Sequence, residues 1–311
     1  MSVISAGGEL RNRVSAYATL LRIPNLFTAP PDVFLGAVLA GFSTTGSGLA
    51  VPLDHVVSLS VISVLLYGAG TTLNDYADIA VDAVERPERP IPSHTVSPHA
   101  AFSFGIGLLV AAVIVAYVLV NTMAVVVTIC LAVMISLYDF YLKGTALGFG
   151  VMGLSRGFNV VLGMTAIGGV DFSVLLLVVP IVISGYIATV TWMAADEMAG
   201  GTQRRISVTR IVTVGVALTV ILLGVVLPAP PVQFGVSGIL IVGYLAVTNR
   251  QLRVASRLRT PATVGAAVGS CVLGLVLVDV AVIALFTLRL AAVTFGFLIV
   301  ARVLAGRFDI S

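Results

Sequence analysis

Long apolar runs interrupted by short polar stretches recur along this chain, and their lengths predict helices that cross a membrane. Spans are expected at roughly 27–42, 56–73, 101–119, 122–138, 146–167, 173–193, 208–227, 232–248 and 262–286, with a candidate tenth at 289–305. Each is near the 20 or so helical residues that a hydrocarbon core of about 30 Å requires. The strict alternation of a membrane barrel is absent, so the spans read as helices whose backbone hydrogen bonds close within each segment. The expected fold is an all-α, polytopic bundle of nine helices, or ten with the last segment.

Polar connections alternate in character along the same chain. Those at 74–98, 139–145, 194–207 and 249–260 are charged, whereas those near 120, 168–172 and 228–231 are short and hold no Lys or Arg. Arg11, Arg13, Arg22, Arg86, Arg89, Lys143, Arg204, Arg205, Arg250, Arg253, Arg257 and Arg259 then fall on one side. The positive-inside rule makes that side cytoplasmic, with residues 1–25 as a cytoplasmic N-terminal segment and 74–98 and 194–207 as the main cytoplasmic loops. Arg302 and Arg307 join that side if the tenth crossing is counted. No linker divides the 311 residues, so one domain is expected, inserted in the cell membrane by its own first span.

Composition strengthens this picture. The chain is 59% hydrophobic and 10% charged, with a mean hydropathy of +1.12, far from the roughly 25% charged content of soluble domains. The net charge of +3 suits anionic headgroups or a diphosphate, and no soluble basic domain points to nucleic acid. Cys130 and Cys271 lie in apolar segments without metal or redox spacing.

Against that background the acids at the end of the second span stand out. The stretch Asn74-Asp75-Tyr76-Ala77-Asp78-Ile79-Ala80-Val81-Asp82 holds three carboxylates and a carboxamide. With Asn74 at zero on a helix, Asp78 falls near 40°, Asp82 near 80° and Asp75 near 100°, so all four share a face. Hard divalent cations such as Mg2+ take oxygen ligands, commonly a few carboxylates plus substrate phosphate oxygens, and this face reads as a metal–diphosphate platform. The run continues Glu85-Arg86-Pro87-Glu88-Arg89-Pro90-Ile91-Pro92-Ser93-His94, whose prolines end the helix and place Arg86 and Arg89 where they could pair with phosphate oxygens.

Other candidates keep two readings each. Lys143, the only lysine, lies in Tyr138-Asp139-Phe140-Tyr141-Leu142-Lys143 and is either a snorkelling anchor or a phosphate contact. Arg156 lies within an apolar helix and should face the interior, against a carboxylate or an anionic ligand. Asp196, in Asp196-Glu197, is a candidate metal contact or one half of a helix-end pair with Arg204 or Arg205. Arg22 and Asn25 before the first span are donors to a diphosphate or plain anchors. Asp32 and Asp279 should face the interior as helix-pairing groups.

The sequence NDYADIAVDAVERPERPIPS resembles the first signature of the UbiA superfamily of intramembrane prenyltransferases, an NDxxDxxxD followed by a basic RPxRPIPSG turn. Arg22, Asn25, Tyr138 and Lys143 and the motif order extend the likeness over most of the chain. The resemblance implies a helical bundle around a cytoplasm-facing cavity and Mg2+-dependent transfer of a prenyl chain from an allylic polyprenyl diphosphate to an aromatic, lipid or isoprenoid acceptor in the membrane. Carried over by motif, Asn74, Asp75, Asp78 and Asp82 are metal or diphosphate contacts, and Arg86 and Lys143 diphosphate contacts. Three departures matter. The second family motif, DxxxD, meets Gly200 where its second aspartate belongs, His94 replaces the glycine that closes the first turn, and the stretch 287–311 extends past the family's usual ninth helix. The stretch MGLSRGFNVVLGM is similar to UbiA-like proteins of the EboC type, linked to export or assembly of secondary metabolites, so the alternative is a non-enzymatic protein that binds or moves a lipid-linked metabolite.

Overall fold

A computed structural model of the protein describes the backbone of residues 3–45, 52–168, 174–227 and 229–305. Side chains are described for 12–42, 52–168, 177–227 and 229–305; Arg11 and Arg307, counted above among the topology charges, fall outside these ranges. Among the described residues all regular structure is helical, in the order α1 Val3–Leu20, α2 Ile23–Leu26, α3 Pro30–Thr45, α4 Leu53–Ala77, α5 Ile79–Glu85, α6 Pro98–Leu119, α7 Thr122–Leu137, α8 Ala146–Met164, α9 Val174–Ala194, α10 Gln203–Val226, α11 Pro231–Leu258, α12 Pro261–Ala284 and α13 Leu288–Ala305. A π-helical turn, Tyr138–Leu142, prolongs α7.

Ten described segments are long and apolar enough to cross a membrane, the last being Leu288–Ala305. That resolves the expected nine-or-ten in favour of ten. Large apolar side chains such as Val110, Ile114, Val126, Leu218, Ile221 and Val242 stand exposed around the bundle, an arrangement that suits lipid, where such surface has no reason to hide. The core is carried by the first and ninth spans, 78% and 67% buried against 17–22% for the most peripheral ones, so α3 and α12 run through the centre.

Close approach of α3 to α8 sets the interior geometry. A Cβ on Gly36 would lie 1.9 Å from the Val160 carbonyl oxygen, and one on Gly163 would lie 2.2 Å from that of Val33. Backbones can meet this way only through small residues, the usual device where lipid removes the hydrophobic drive between helices. Contact at this range brings Asp32 of α3 against Arg156 and Asn159 of α8. Gly36→Ala is expected to destabilise the protein by about 1–3 kcal/mol, the usual cost of overpacking, read as a lowered melting temperature in detergent.

The charged loops gather at one end of the bundle. Asp75 there meets Arg22 and Arg89, Glu197 packs against Gly265, Gly200 against the Arg259 carbonyl, and Gln203 bonds Ser256. The N-terminal segment is itself a helix at this end: Ala16 and Leu20 of α1 pack on Ile91, Val96 and Ala101, covering the proline-rich turn. That turn is folded rather than extended, with Arg89 N–H bonded to Arg86 O, Ser93 N–H to Arg89 O and Val96 N–H to Pro90 O. His94 takes φ 61° in it, a left-handed conformation that explains why glycine suits this position.

Candidate functional site

The acid-bearing segment splits its side chains into two layers. α4 ends at Ala77, and Asp78 (φ −91°, ψ 8°) separates it from α5. Hydrogen bonds from Asp78 N–H to Asn74 O and from Asp82 N–H to Asp78 O carry the chain across this break almost as a helix. Asp75 and Asp82, about 20° apart on the helical wheel, point together to one side, and Asn74 and Asp78 to the other.

The first layer is closed. Asp75 Oδ1 accepts from Arg22 Nη2 at 2.8 Å and Arg89 Nη1 at 3.2 Å, and Asp82 Oδ2 accepts from Arg89 Nη1 at 2.8 Å. Both acids are 4% exposed. Neither of them, nor Asp78, is among the residues that line the cavity described below. In this structure two guanidinium groups, those of Arg22 and Arg89, neutralise Asp75 and Asp82 inside the protein. Arg89, expected to reach phosphate, is spent on the same lattice. Arg22 both joins it and lines the cavity, its backbone in the left-handed region (φ 48°) at the joint between α1 and α2.

Asn74 of the second layer lines a cavity of about 420 Å³ that runs from this end into the bundle, and Asp78 reaches that opening through its pair with Lys143. At its mouth the Lys143 ammonium pairs with Asp78 Oδ2 and donates to Asn74 Oδ1 at 3.3 Å. Asn74 Nδ2 donates to Asp139 Oδ1 at 3.0 Å. The other oxygen of Asp139 is buried without a protein partner, and Asn74, Asp139, Tyr138 and Lys143 all line the opening. Farther in, the walls are Leu66, Leu131, Ile135, Met152, Ile187, Val190, Val268 and Val272, and Ser63, Arg156 and Asn159 lie at the deep end. α4 rises roughly 16 Å between Ser63 and Asn74, at 1.5 Å per residue.

Asp139 is the site residue that sequence reasoning passed over. Its signal was present: an acid between Tyr138 and Phe140 at the end of an apolar run. What turns it inward is the π-helical turn, whose extra residue rotates the side chains that follow, a feature common at functional sites.

Arg156 pairs with Asp32 Oδ2 at 2.7 Å and donates to the Thr28 carbonyl, so of its two readings the carboxylate partner is the one present. Asn25 sits in the α2 turn, where its carbonyl accepts from Thr28 Oγ1, and it is not among the cavity-lining residues. Arg86 is half-exposed and also outside the lining; its charge faces Glu197.

The second acid pair is likewise committed elsewhere. Asp196 Oδ2 accepts from Thr202 Oγ1 at 2.6 Å and pairs with Arg205 Nε at 3.0 Å. Arg205 in turn donates to the Trp192 carbonyl at 2.6 Å and lies over the Trp192 ring. Of the two readings of Asp196, the helix-end pair is the one present in this structure, with Arg205 as the partner. Gly200 explains why the motif stops there. It has φ 78°, and a Cβ on it would lie 2.1 Å from the Arg259 carbonyl oxygen. No aspartate fits that place. Glu197 is the acid of this pair turned toward the first motif, and burial pushes its carboxyl up while Arg86 partly offsets the shift.

Among the described residues no three His, Cys, Asp or Glu side chains come together in a group able to hold a metal ion. The oxygens gathered near the mouth are hard ones: Asn74 Oδ1 and Asp78 Oδ2, both held by Lys143, and the buried, unpartnered second oxygen of Asp139. Mg2+ is ordinarily bound through one or two carboxylates with waters and substrate phosphates, not by an all-protein cage, so this set fits.

The chain was compared with known proteins. The UbiA prenyltransferase family model matches residues 34–247. A digeranylgeranylglyceryl phosphate synthase of Methanopyrus kandleri is 36% identical over 137 residues, 44% of this chain and 47% of that protein. One of Haloquadratum walsbyi is 31% identical over 170 residues, 54% and 57% of the two chains. The chain thus spans about half the length of the curated relatives it matches. Among solved structures, one from work on digeranylgeranylglyceryl phosphate synthase aligns with a TM-score of 0.61 at 15% identity, covering 87% of this chain and 97% of that one. A UbiA homologue from Archaeoglobus fulgidus bound to DMAPP and Mg2+ aligns at 0.57 and 16% identity, covering 82% and 99%. These structures share the fold, and the matched family covers more than two thirds of the sequence. The chain belongs to the UbiA prenyltransferase family.

Proposed function

We propose that the protein transfers a prenyl chain from an allylic polyprenyl diphosphate to an acceptor inside the membrane, in a Mg2+-dependent reaction. The observation that carries this is the cavity: polar and cationic at its mouth, where Asn74 of the first motif, Asp139, Arg22 and Lys143 line it, and apolar along its walls. Family membership and the DMAPP- and Mg2+-bound fold relative support it.

In this reading Asn74, Asp78 and Asp139 hold Mg2+ at the mouth. The ion, when bound, neutralises charge that grows on the departing diphosphate. Lys143 and Arg22 supply positive charge beside the same oxygens. Arg22 keeps its place because Asp75 grips it, and Arg89 locks Asp75 to Asp82, so the closed layer positions what the open layer uses. The apolar walls keep water from the allylic carbon after the carbon–oxygen bond breaks. Arg86 and Asn25 do not line the cavity, and Arg156 lines it from α8 while paired with Asp32. The motif end and the N-terminus face the cytoplasm of the cell membrane, in keeping with the arginines gathered there, and the whole chain forms one domain.

The absent carboxylate at Gly200 favours a second reading, a protein that binds a diphosphate or a lipid-linked metabolite without turnover. Full-length protein in nanodiscs, given Mg2+ and labelled prenyl diphosphates of several lengths, separates the two. Acceptors in the panel are an aromatic acid and a prenylated glyceryl phosphate, the latter chosen from the names of the relatives. Pyrophosphate release coupled to a prenylated product is expected. Saturable donor binding with no release for any pairing assigns the chain to the second reading.

A further inference from the structure

Deep in the bundle, at the end of the cavity away from the motifs, two carboxyl groups meet with one guanidinium. Asp32 on α3 and Asp279 on α12 are both 0% exposed, and their carboxyls lie within hydrogen-bonding reach of each other. Asp32 Oδ2 is occupied, 2.7 Å from Arg156 Nε and 2.8 Å from Asn159 Nδ2. Asp32 Oδ1 and both oxygens of Asp279 have no donor. We propose that Asp32 and Asp279 hold a single proton between them, and that this proton makes the Asp32–Asp279–Arg156 cluster neutral and fixes Arg156 at the floor of the cavity.

Charge balance and hydrogen-bond counting lead to the same place. With both acids ionised the cluster carries one net negative charge in the membrane interior, where an unpaired charge is among the costliest groups to keep. Three buried acceptors would also face one another without a donor. One proton between Asp32 Oδ1 and an Asp279 oxygen removes the net charge and satisfies two of the three. Around Asp32, α8 supplies Arg156 and Asn159, and α4 supplies Ser63, whose hydroxyl donates to Asn159 Oδ1 at 2.7 Å. Among the described residues, Arg156 is the cation that acts on both acids.

The arrangement has a consequence for the cavity. Arg156, Asn159 and Ser63 line its deep end, and all three are oriented through this network. Asp279 touches none of the cavity itself, so it acts as a positioning residue, holding Arg156 through Asp32.

The test uses the full chain in nanodiscs. Infrared difference spectra between the wild type and Asp279→Asn should show the carbonyl stretch of a protonated carboxyl in the wild type alone, shifting in heavy water. Asparagine reproduces a neutral, uncharged partner, so Asp279→Asn should melt within a few degrees of the wild type near neutral pH. As pH rises from the ordinary carboxylate range toward the point where the folded pair releases its proton, the wild type should lose stability relative to this variant, by up to about tenfold in the unfolding equilibrium per pH unit, because one bound proton must be given up on unfolding. The double variant Asp32→Asn/Asp279→Asn strips Arg156 of its counter-charge and should melt well below both. A sodium ion could balance the same charge. Stability that depends on Na+, or a wild type without the protonated-carboxyl band, overturns the proposal, as does an Asp279→Asn variant that shares the wild type's loss with rising pH.

Discussion

Asp78→Ala is expected to lower pyrophosphate release by about a hundredfold to a thousandfold, the range lost when one preorganised group that meets developing charge is removed. Asp78 is the carboxylate of the first motif that pairs with Lys143, which lines the cavity mouth. Its removal takes away one of two carboxylates proposed for Mg2+ and frees the Lys143 ammonium at the same moment. Donor binding should therefore survive or tighten while turnover falls, a split that separates this variant from Lys143→Gln, which should weaken both. Isothermal titration with a prenyl diphosphate, alongside the release assay, reads the two quantities. Equal loss of binding and turnover in Asp78→Ala would place the metal contacts elsewhere.

Asp75→Ala should act on folding before it acts on chemistry. Asp75 is 4% exposed and holds Arg22 and Arg89 at once. Removing one partner of a buried ionic cluster leaves the others uncompensated and costs about 3–5 kcal/mol; Arg22, with a side chain 32% exposed, can turn toward water, so about 3 kcal/mol is expected. Thermal melting in nanodiscs measures it. Asp75→Asn keeps the acceptor oxygen and loses only charge, and should recover part of that stability. An Asp75→Ala protein that melts like the wild type but fails to bind donor would return Asp75 to the open layer.

Much of this architecture was legible in the one-dimensional pattern. Span positions, the helical class and the gathering of charged loops at one end follow from length, hydropathy and arginine placement, because a bilayer imposes them segment by segment. The tenth span needed the structure only for its count. The departures at Gly200 and His94 were likewise visible as residues out of place, and the backbone supplied their cause: a φ of 78° against the Arg259 carbonyl at the first, a left-handed turn at the second.

What sequence position could not assign was the partner of each charge. Asn74, Asp75, Asp78 and Asp82 share a face on a helical wheel, but the break at Asp78 and the packing of α1 over the proline turn divide that face. Asp75 and Asp82 close on Arg22 and Arg89, and Asn74 and Asp78 open on Lys143 and Asp139. Asp139 came into the site through a π-helical turn that no spacing rule announces. Asp196 left it for Arg205. The sequence by itself determined a polytopic helical membrane protein with an acid-rich motif at the charged end, since those properties are local and each segment meets the membrane alone. Tertiary structure alone decided which acids stay open and which are neutralised, because ionic partners are drawn from helices distant in sequence and chosen by packing.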